Sequence, residues 1–137
     1  MTTLRIAVDA DGDWTELTRP TSDSPVARIA APSLGEAAHR ARRTRRPAFV
    51  DLDVHLADTG LDAFAGYAAT HPGWSPGVRT DVIVHPGTTS TLTNLLADIA
   101  AAGVADGVTL RGPDASTLVR IVAEVAPRLG VDVVVAV

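Results

Sequence analysis

The chain contains no cysteine. That removes disulfide frameworks, thiolate nucleophiles and cysteine-based zinc sites. It contains no lysine either, and all 12 basic residues are arginines. Schiff-base chemistry and a P-loop lysine are therefore excluded within this chain. Aromatic residues make up 4% of the 137 residues, so the core has to be built from valine, alanine, leucine and isoleucine. No apolar run approaches the roughly 20 residues that a membrane-spanning helix needs. Met1 to Arg5 has no signal-peptide character, which predicts a cytoplasmic protein with no membrane partner. The formal net charge of −4 argues against non-specific nucleic-acid binding.

What is present suits one domain. A length of 137 residues with 46% hydrophobic content can fill a single core. Leu4 to Ala10 alternates apolar and polar residues, and Asp11-Gly12 follows. An Asp-Gly pair between extended segments signals a hairpin, because both turn positions favour positive φ. Asp13 to Thr18 is the expected return strand. Residues 1–25 thus form a hairpin and loop, and 26–137 settle into a β-then-α rhythm.

Strands are expected at Val26–Ala31, Ala48–Ala57, Asp81–His85 and Val108–Arg111. Helices are expected at Ser33–Thr44, Leu61–Thr70, Thr91–Ala102 and Asp114–Leu129. Gly103 and Gly130 stop the last two. Val131–Val137 reads as a last strand or extended tail. Alternating strands and helices imply parallel pairing and right-handed crossovers.

The second of these strands alternates, whereas strands of a parallel sheet covered on both faces read as continuous apolar runs. Val50, Leu52, Val54 and Leu56 face one way, and Phe49, Asp51, Asp53 and His55 the other. Thr109 and Arg111 oppose Val108 and Leu110 in the same manner. Helices are therefore expected on one sheet face, leaving a charged face that is wet, a cavity wall or a subunit interface.

Three passages carry a resemblance to a known family. Ala27-Arg28-Ile29-Ala30-Ala31-Pro32-Ser33-Leu34-Gly35-Glu36 is a strand, a small-residue turn and the start of an alanine-rich helix. Phe49 to Thr59 is a strand ending in Ala57-Asp58-Thr59. In Gly87 to Arg128, Gly87-Thr88 opens a helix, Ala101 to Val108 leads into a strand, and Leu110-Arg111-Gly112-Pro113 precedes the last helix. Together they resemble the C-terminal half of the bacterial-luciferase-like flavin-dependent monooxygenases, in particular the nitrilotriacetate-monooxygenase branch.

The resemblance implies an α/β fold: half of a (β/α)8-type barrel, about four βα units behind the hairpin. Such barrels typically run to about 250 residues, so this chain has strands for about half of one. The family's activity is oxygenation of a small substrate by FMN that a separate reductase has reduced. For this chain it implies FMN as cofactor and a second copy or partner chain that completes the barrel, since a half-barrel leaves strand edges unpaired. Ser33, Gly35, Thr88 and Arg111 are the residues expected to hold the cofactor. The alternative is a non-catalytic dimeric accessory or interaction protein derived from the same fold.

Each candidate also has a plainer role. Ser33-Leu34-Gly35-Glu36 matches a capping box, with Glu36 returning a bond to the Ser33 amide. Gly87 to Thr91 offers hydroxyls that can cradle an anion or cap a helix. Asp51, Asp53 and His55 share a strand face, with His85 a possible recruit, and can bind a divalent metal or form a solvated face. Arg111 is the natural partner for Asp51 or Asp53. We expect no metal site. The arginines from Arg40 to Arg46 read as a solvated helix face. No catalytic residue follows from the sequence.

Overall fold

The computed structural model describes residues 4–134. The hairpin forms as expected: β1 (Arg5–Ala10) pairs antiparallel with β2 (Asp13–Glu16), with Ala10 opposite Asp13. The two turn residues, Asp11 (φ 56°) and Gly12 (φ 88°), both lie in the left-handed region that such a two-residue connection requires. The other elements are β3 (Ala27–Ile29), α1 (Leu34–Ala41), β4 (Ala48–Leu56), α2 (Gly60–Thr70), β5 (Ile83–Gly87), α3 (Thr89–Ala102), β6 (Gly107–Gly112) and α4 (Ala115–Val125). A short 3-10 turn, Ala126–Leu129, continues α4 and ends on Gly130 at φ 68°. Of the expected final strand, Val133 makes a bridge to Thr18 and Val134 bonds Leu17; residues 135–137 lie outside the described residues.

The sheet is mixed, in the order β2-β1-β6-β4-β3, and β5 also pairs with β4. All pairs except the hairpin are parallel. β3 pairs with the first half of β4 and β5 with its second half, so both flank the edge of β4 away from β6. The chain is thus of the α/β class, with β6 seated between β1 and β4.

One sheet face is aliphatic. Ile6, Val8, Val50, Leu52, Val108 and Leu110 are buried in a single cluster with Leu92, Leu96 and Ile99 of α3 and Leu118, Val122 and Val125 of α4. Each such side chain contributes about 1.5–3 kcal/mol by leaving water. Ala37 of α1 packs into the same cluster.

The expectation that all helices share one face does not hold, and crossover handedness supplies the reason. The β3–α1–β4 and β5–α3–β6 connections step along the sheet in one direction. The β4–α2–β5 connection steps back. A right-handed crossover that reverses its step must pass over the opposite face. α2 therefore lies on the charged face, where Tyr67 reaches Asp53 and Gly66 lies against His55. The segment after β2 also returns over this face, because Pro20, Ser24 and Val26 line a cavity of about 540 Å³ together with Arg5, Trp14 and Arg28.

Candidate functional site

Where neighbouring parallel strands send their following helices to opposite faces, a crevice opens at the strands' carboxyl ends. β4 sends α2 to the charged face and β6 sends α4 to the aliphatic one, so the switch lies between these two adjacent strands. A cavity of about 610 Å³ opens there, lined by Asp9 and Asp11 from β1 and its turn, Asp53 and His55 from β4, Tyr67 and His71 from α2 and its end, and Arg111 from β6. The volume falls in the range of small-molecule sites.

Strand alternation aims these side chains. In register, Asp9 and Asp53 both lie opposite Arg111 across β6. The Arg111 Nε stands 3.3 Å from Asp53 Oδ1, while the Tyr67 hydroxyl donates to Asp53 Oδ2 at 3.4 Å. Asp53 Oδ1 is buried, and its contact with Arg111 is an ion pair without an aligned hydrogen bond. Behind the cleft, Arg28 reaches across the sheet from β3. Its Nη2 lies 2.8 Å from Asp9 Oδ2 and 3.1 Å from Asp51 Oδ1.

Burial pushes the Asp51 carboxyl up from its usual value against the pull of Arg28. Burial, followed by the charge and hydrogen bond of Asp53, pushes the Tyr67 phenol up to about 12. A neutral phenol at physiological pH is a donor, as the contact with Asp53 requires.

Aromatic rings form the wall on the α2 side. Tyr67 and His71 stack with centroids 3.8 Å apart and planes within 6°. Trp74 meets Tyr67 edge-on at 4.9 Å, and Phe64 packs on Trp74. α2 sits close to the sheet because residue 66 is glycine. A Cβ there would stand 2.3 Å from His55 Nε2.

The expected cofactor residues do not converge. Arg111 lines the cleft, whereas Ser33, Gly35 and Thr88 do not. Ser33 caps α1 by accepting from the Glu36 amide at 3.2 Å. The reciprocal half of its capping box is absent, because Glu36 pairs with Arg79 (3.3 Å) and Arg40 (3.8 Å) instead. Thr88 caps α3 in a full box with Thr91. His85 lies opposite Val54 in register, away from the Asp51, Asp53 and His55 face, with its Nε2 3.1 Å from Thr91 Oγ1. Among the described residues no group of three or more histidines or carboxylates could hold a metal ion. The arginines from Arg40 to Arg46 are exposed as expected, but they do not form a helix face, because α1 ends at Ala41 and only Arg40 lies within it.

No protein-family model, curated protein or solved structure matches the chain. The site therefore has to be read from its own chemistry. Tyr67, His71, Asp9 and Arg28 did not emerge from the sequence as site residues. A signal existed for two of them: Phe64, Tyr67 and His71 recur at helical spacing in a chain with one tyrosine and two phenylalanines. Arg28 gave none, because its role depends on reaching over three strands. No helix among the described residues is long and apolar enough to cross a membrane.

Proposed function

We propose that the chain is a small-molecule-binding domain whose ligand occupies the cleft at the carboxyl ends of β1, β4 and β6. The observation that carries this reading is the coincidence of the cavity with the topological switch between β4 and β6. Polar side chains from separate strands meet there beside an aromatic wall, the composition expected of a ligand site. The test is a mixture of common small metabolites titrated into isotope-labelled protein, followed by amide chemical shifts. The expected outcome is saturable shifts confined to Asp53, His55, Tyr67, Arg111 and their neighbours. Shifts scattered over the surface, or centred on the 540 Å³ cavity near Arg5, would count against the cleft.

The second reading is the luciferase-like, flavin-linked oxidoreductase fragment completed by a second copy or partner chain. The position of Arg111 in the cleft favours it, as a guanidinium suits a phosphate. Two features stand against it. Ser33 and Thr88 already serve their own helices and lie outside the cleft. The strand order places β6 between β1 and β4, whereas successive strands are neighbours in a (β/α)8 barrel. FMN fluorescence decides the matter. Saturable quenching weakened by Arg111→Ala would support the flavin reading, and no quenching at millimolar FMN would remove it.

A further inference from the structure

The cleft proposed above as a ligand site offers a hydrogen-bond acceptor and a set of donors that the chain itself leaves unused. The acceptor is on His71. Its Nδ1 lies 2.9 Å from the Tyr67 carbonyl oxygen and 2.9 Å from Thr70 Oγ1. A carbonyl only accepts, so Nδ1 carries the proton and the neutral imidazole keeps its lone pair on Nε2. Nε2 makes no hydrogen bond among the described residues, and His71 is an exposed residue that lines the cleft. Stacking on Tyr67, with centroids 3.8 Å apart, holds the ring in this orientation.

The donors are on Arg111. Its Nε faces Asp53, its Nη1 and Nη2 make no hydrogen bond among the described residues, and its side chain is 41% exposed. The carboxylates of the cleft wall are already matched, Asp9 by Arg28 and the Gly12 amide, Asp53 by Arg111 and the Tyr67 hydroxyl. Asp11, exposed on the hairpin turn, disfavours an anion. Tyr67 stacks on His71 and touches Asp53, and Asp53 touches Arg111, so the acceptor and the donors belong to one continuous wall.

We infer that the cleft takes a small neutral ligand with a carbonyl beside an N–H, an amide or a lactam. The carbonyl oxygen accepts from the Arg111 Nη groups, and the N–H donates to His71 Nε2. A ligand that lacks the N–H leaves Nε2 without a partner after displacing the water that served it.

This inference rests on the cleft being the ligand site, and a matched pair of probes separates the two. Isoindolin-1-one and phthalide have the same two rings and the same carbonyl. They differ in having an N–H or an oxygen beside it. Each is titrated into the full chain, with amide shifts and tryptophan fluorescence as readouts, because Trp74 packs on Tyr67. The expected result is saturable binding of the lactam at the cleft residues, with the lactone about tenfold weaker or more. His71→Phe keeps a ring against Tyr67 and removes Nε2, and should abolish the preference. Arg111→Lys keeps a charge for Asp53 and removes the fork of donors, and should weaken both compounds alike.

Nitrogen-15 shifts of the His71 ring should show the proton on Nδ1, and a proton on Nε2 instead would overturn the inference whatever binds. Equal binding of the two probes, or a preference that survives His71→Phe, would overturn it and keep the cleft as a site. No cleft shift with either probe would also overturn it. The cleft itself would then stand if the metabolite mixture still moved Asp53, Tyr67 and Arg111, and fall with the inference if it did not.

Discussion

The two faces of the sheet use different physics. On the aliphatic side, valines, leucines and isoleucines from β1, β4 and β6 meet α3 and α4 in one cluster. On the other side lie the chain's two phenylalanines, two tryptophans and one tyrosine. Phe49 and Trp14 contact each other at one end, and Phe64, Tyr67 and Trp74 at the other. Between them runs a row of paired charges: Arg5 with Glu16, Arg28 with Asp9 and Asp51, and Arg111 with Asp53. The first face gains by removing hydrocarbon from water and needs no particular partner for any one group. The second needs every charge matched, because a buried ion without its partner costs more than the pair contributes. Stability is therefore distributed over one face and concentrated in a few pairs on the other, and the cavity opens on the face that carries those pairs.

The sharpest test of that contrast is the Arg5–Glu16 pair. Its side chains are 4% and 9% exposed, with an N–O distance of 2.6 Å, and Arg5 lies over the Phe49 ring at 4.9 Å. Glu16→Ala strands the buried guanidinium and should cost about 3–5 kcal/mol in urea unfolding. Replacing both residues by leucine should cost far less, and an equal loss in the double variant would break the comparison. Leu52→Ala on the aliphatic face removes a fully buried side chain and should cost about 2–5 kcal/mol. No second substitution nearby should rescue it as the leucine pair rescues the charged site.

Gly66 tests how tightly α2 sits on the charged face. Gly66→Ala should destabilise by about 1–3 kcal/mol through overlap with His55. In a His55→Ala background the same change should become stabilising by up to about 1 kcal/mol, through helix propensity alone. Absence of that change of sign in a double-mutant cycle would mean that α2 has room to move.

Tyr67 is the chain's single tyrosine, so its ultraviolet titration reads one group. Asp53→Asn should lower its midpoint from about 12 and leave it above the ordinary tyrosine value, because burial is the larger cause. An unchanged midpoint would mean that Asp53 does not face the phenol.

The smallest effects are in pH dependence, and the two faces should differ in sign. Asp51 has a raised folded value through burial, so the native state holds its proton longer than the unfolded chain. Its contribution is full below the unfolded value of 3.8 and is lost as pH rises through the folded one. His85 is lowered by burial, so its contribution is present above 6.5 and is lost as pH falls through the folded value. Asp51→Asn should flatten the acidic part of the stability profile and His85→Gln the part just below neutrality. The reverse signs would show that pairing rather than burial governs these groups.

Much of the fold was legible because its signals are local. The Asp11-Gly12 turn, the alternation in β4 and the stop at Gly103 each depend on residues adjacent in sequence, and each appears where expected. The expected helix through Thr44 ends at Ala41, since the arginines beyond it bury nothing. The paired roles of Asp53 and Arg111 were legible too, because both alternate with core residues. The cleft was not. His71, which stacks on Tyr67, lay in what read as an ordinary His-Pro-Gly loop, and Asp9 read as part of a hairpin.

By itself, then, the amino-acid order determined the local elements, the aliphatic character of the core and which residues of β4 and β6 lie on a charged face. Periodicity and turn chemistry act within a few residues, and nothing distant can cancel them here. The tertiary structure alone decided where β5 and β6 insert around β4. That choice sent α2 to the charged face, since a right-handed crossover changes side when its step reverses. Tyr67 and His71 consequently stand beside Asp53 and Arg111, and the cleft exists because of an order of strands that no short segment of the sequence records.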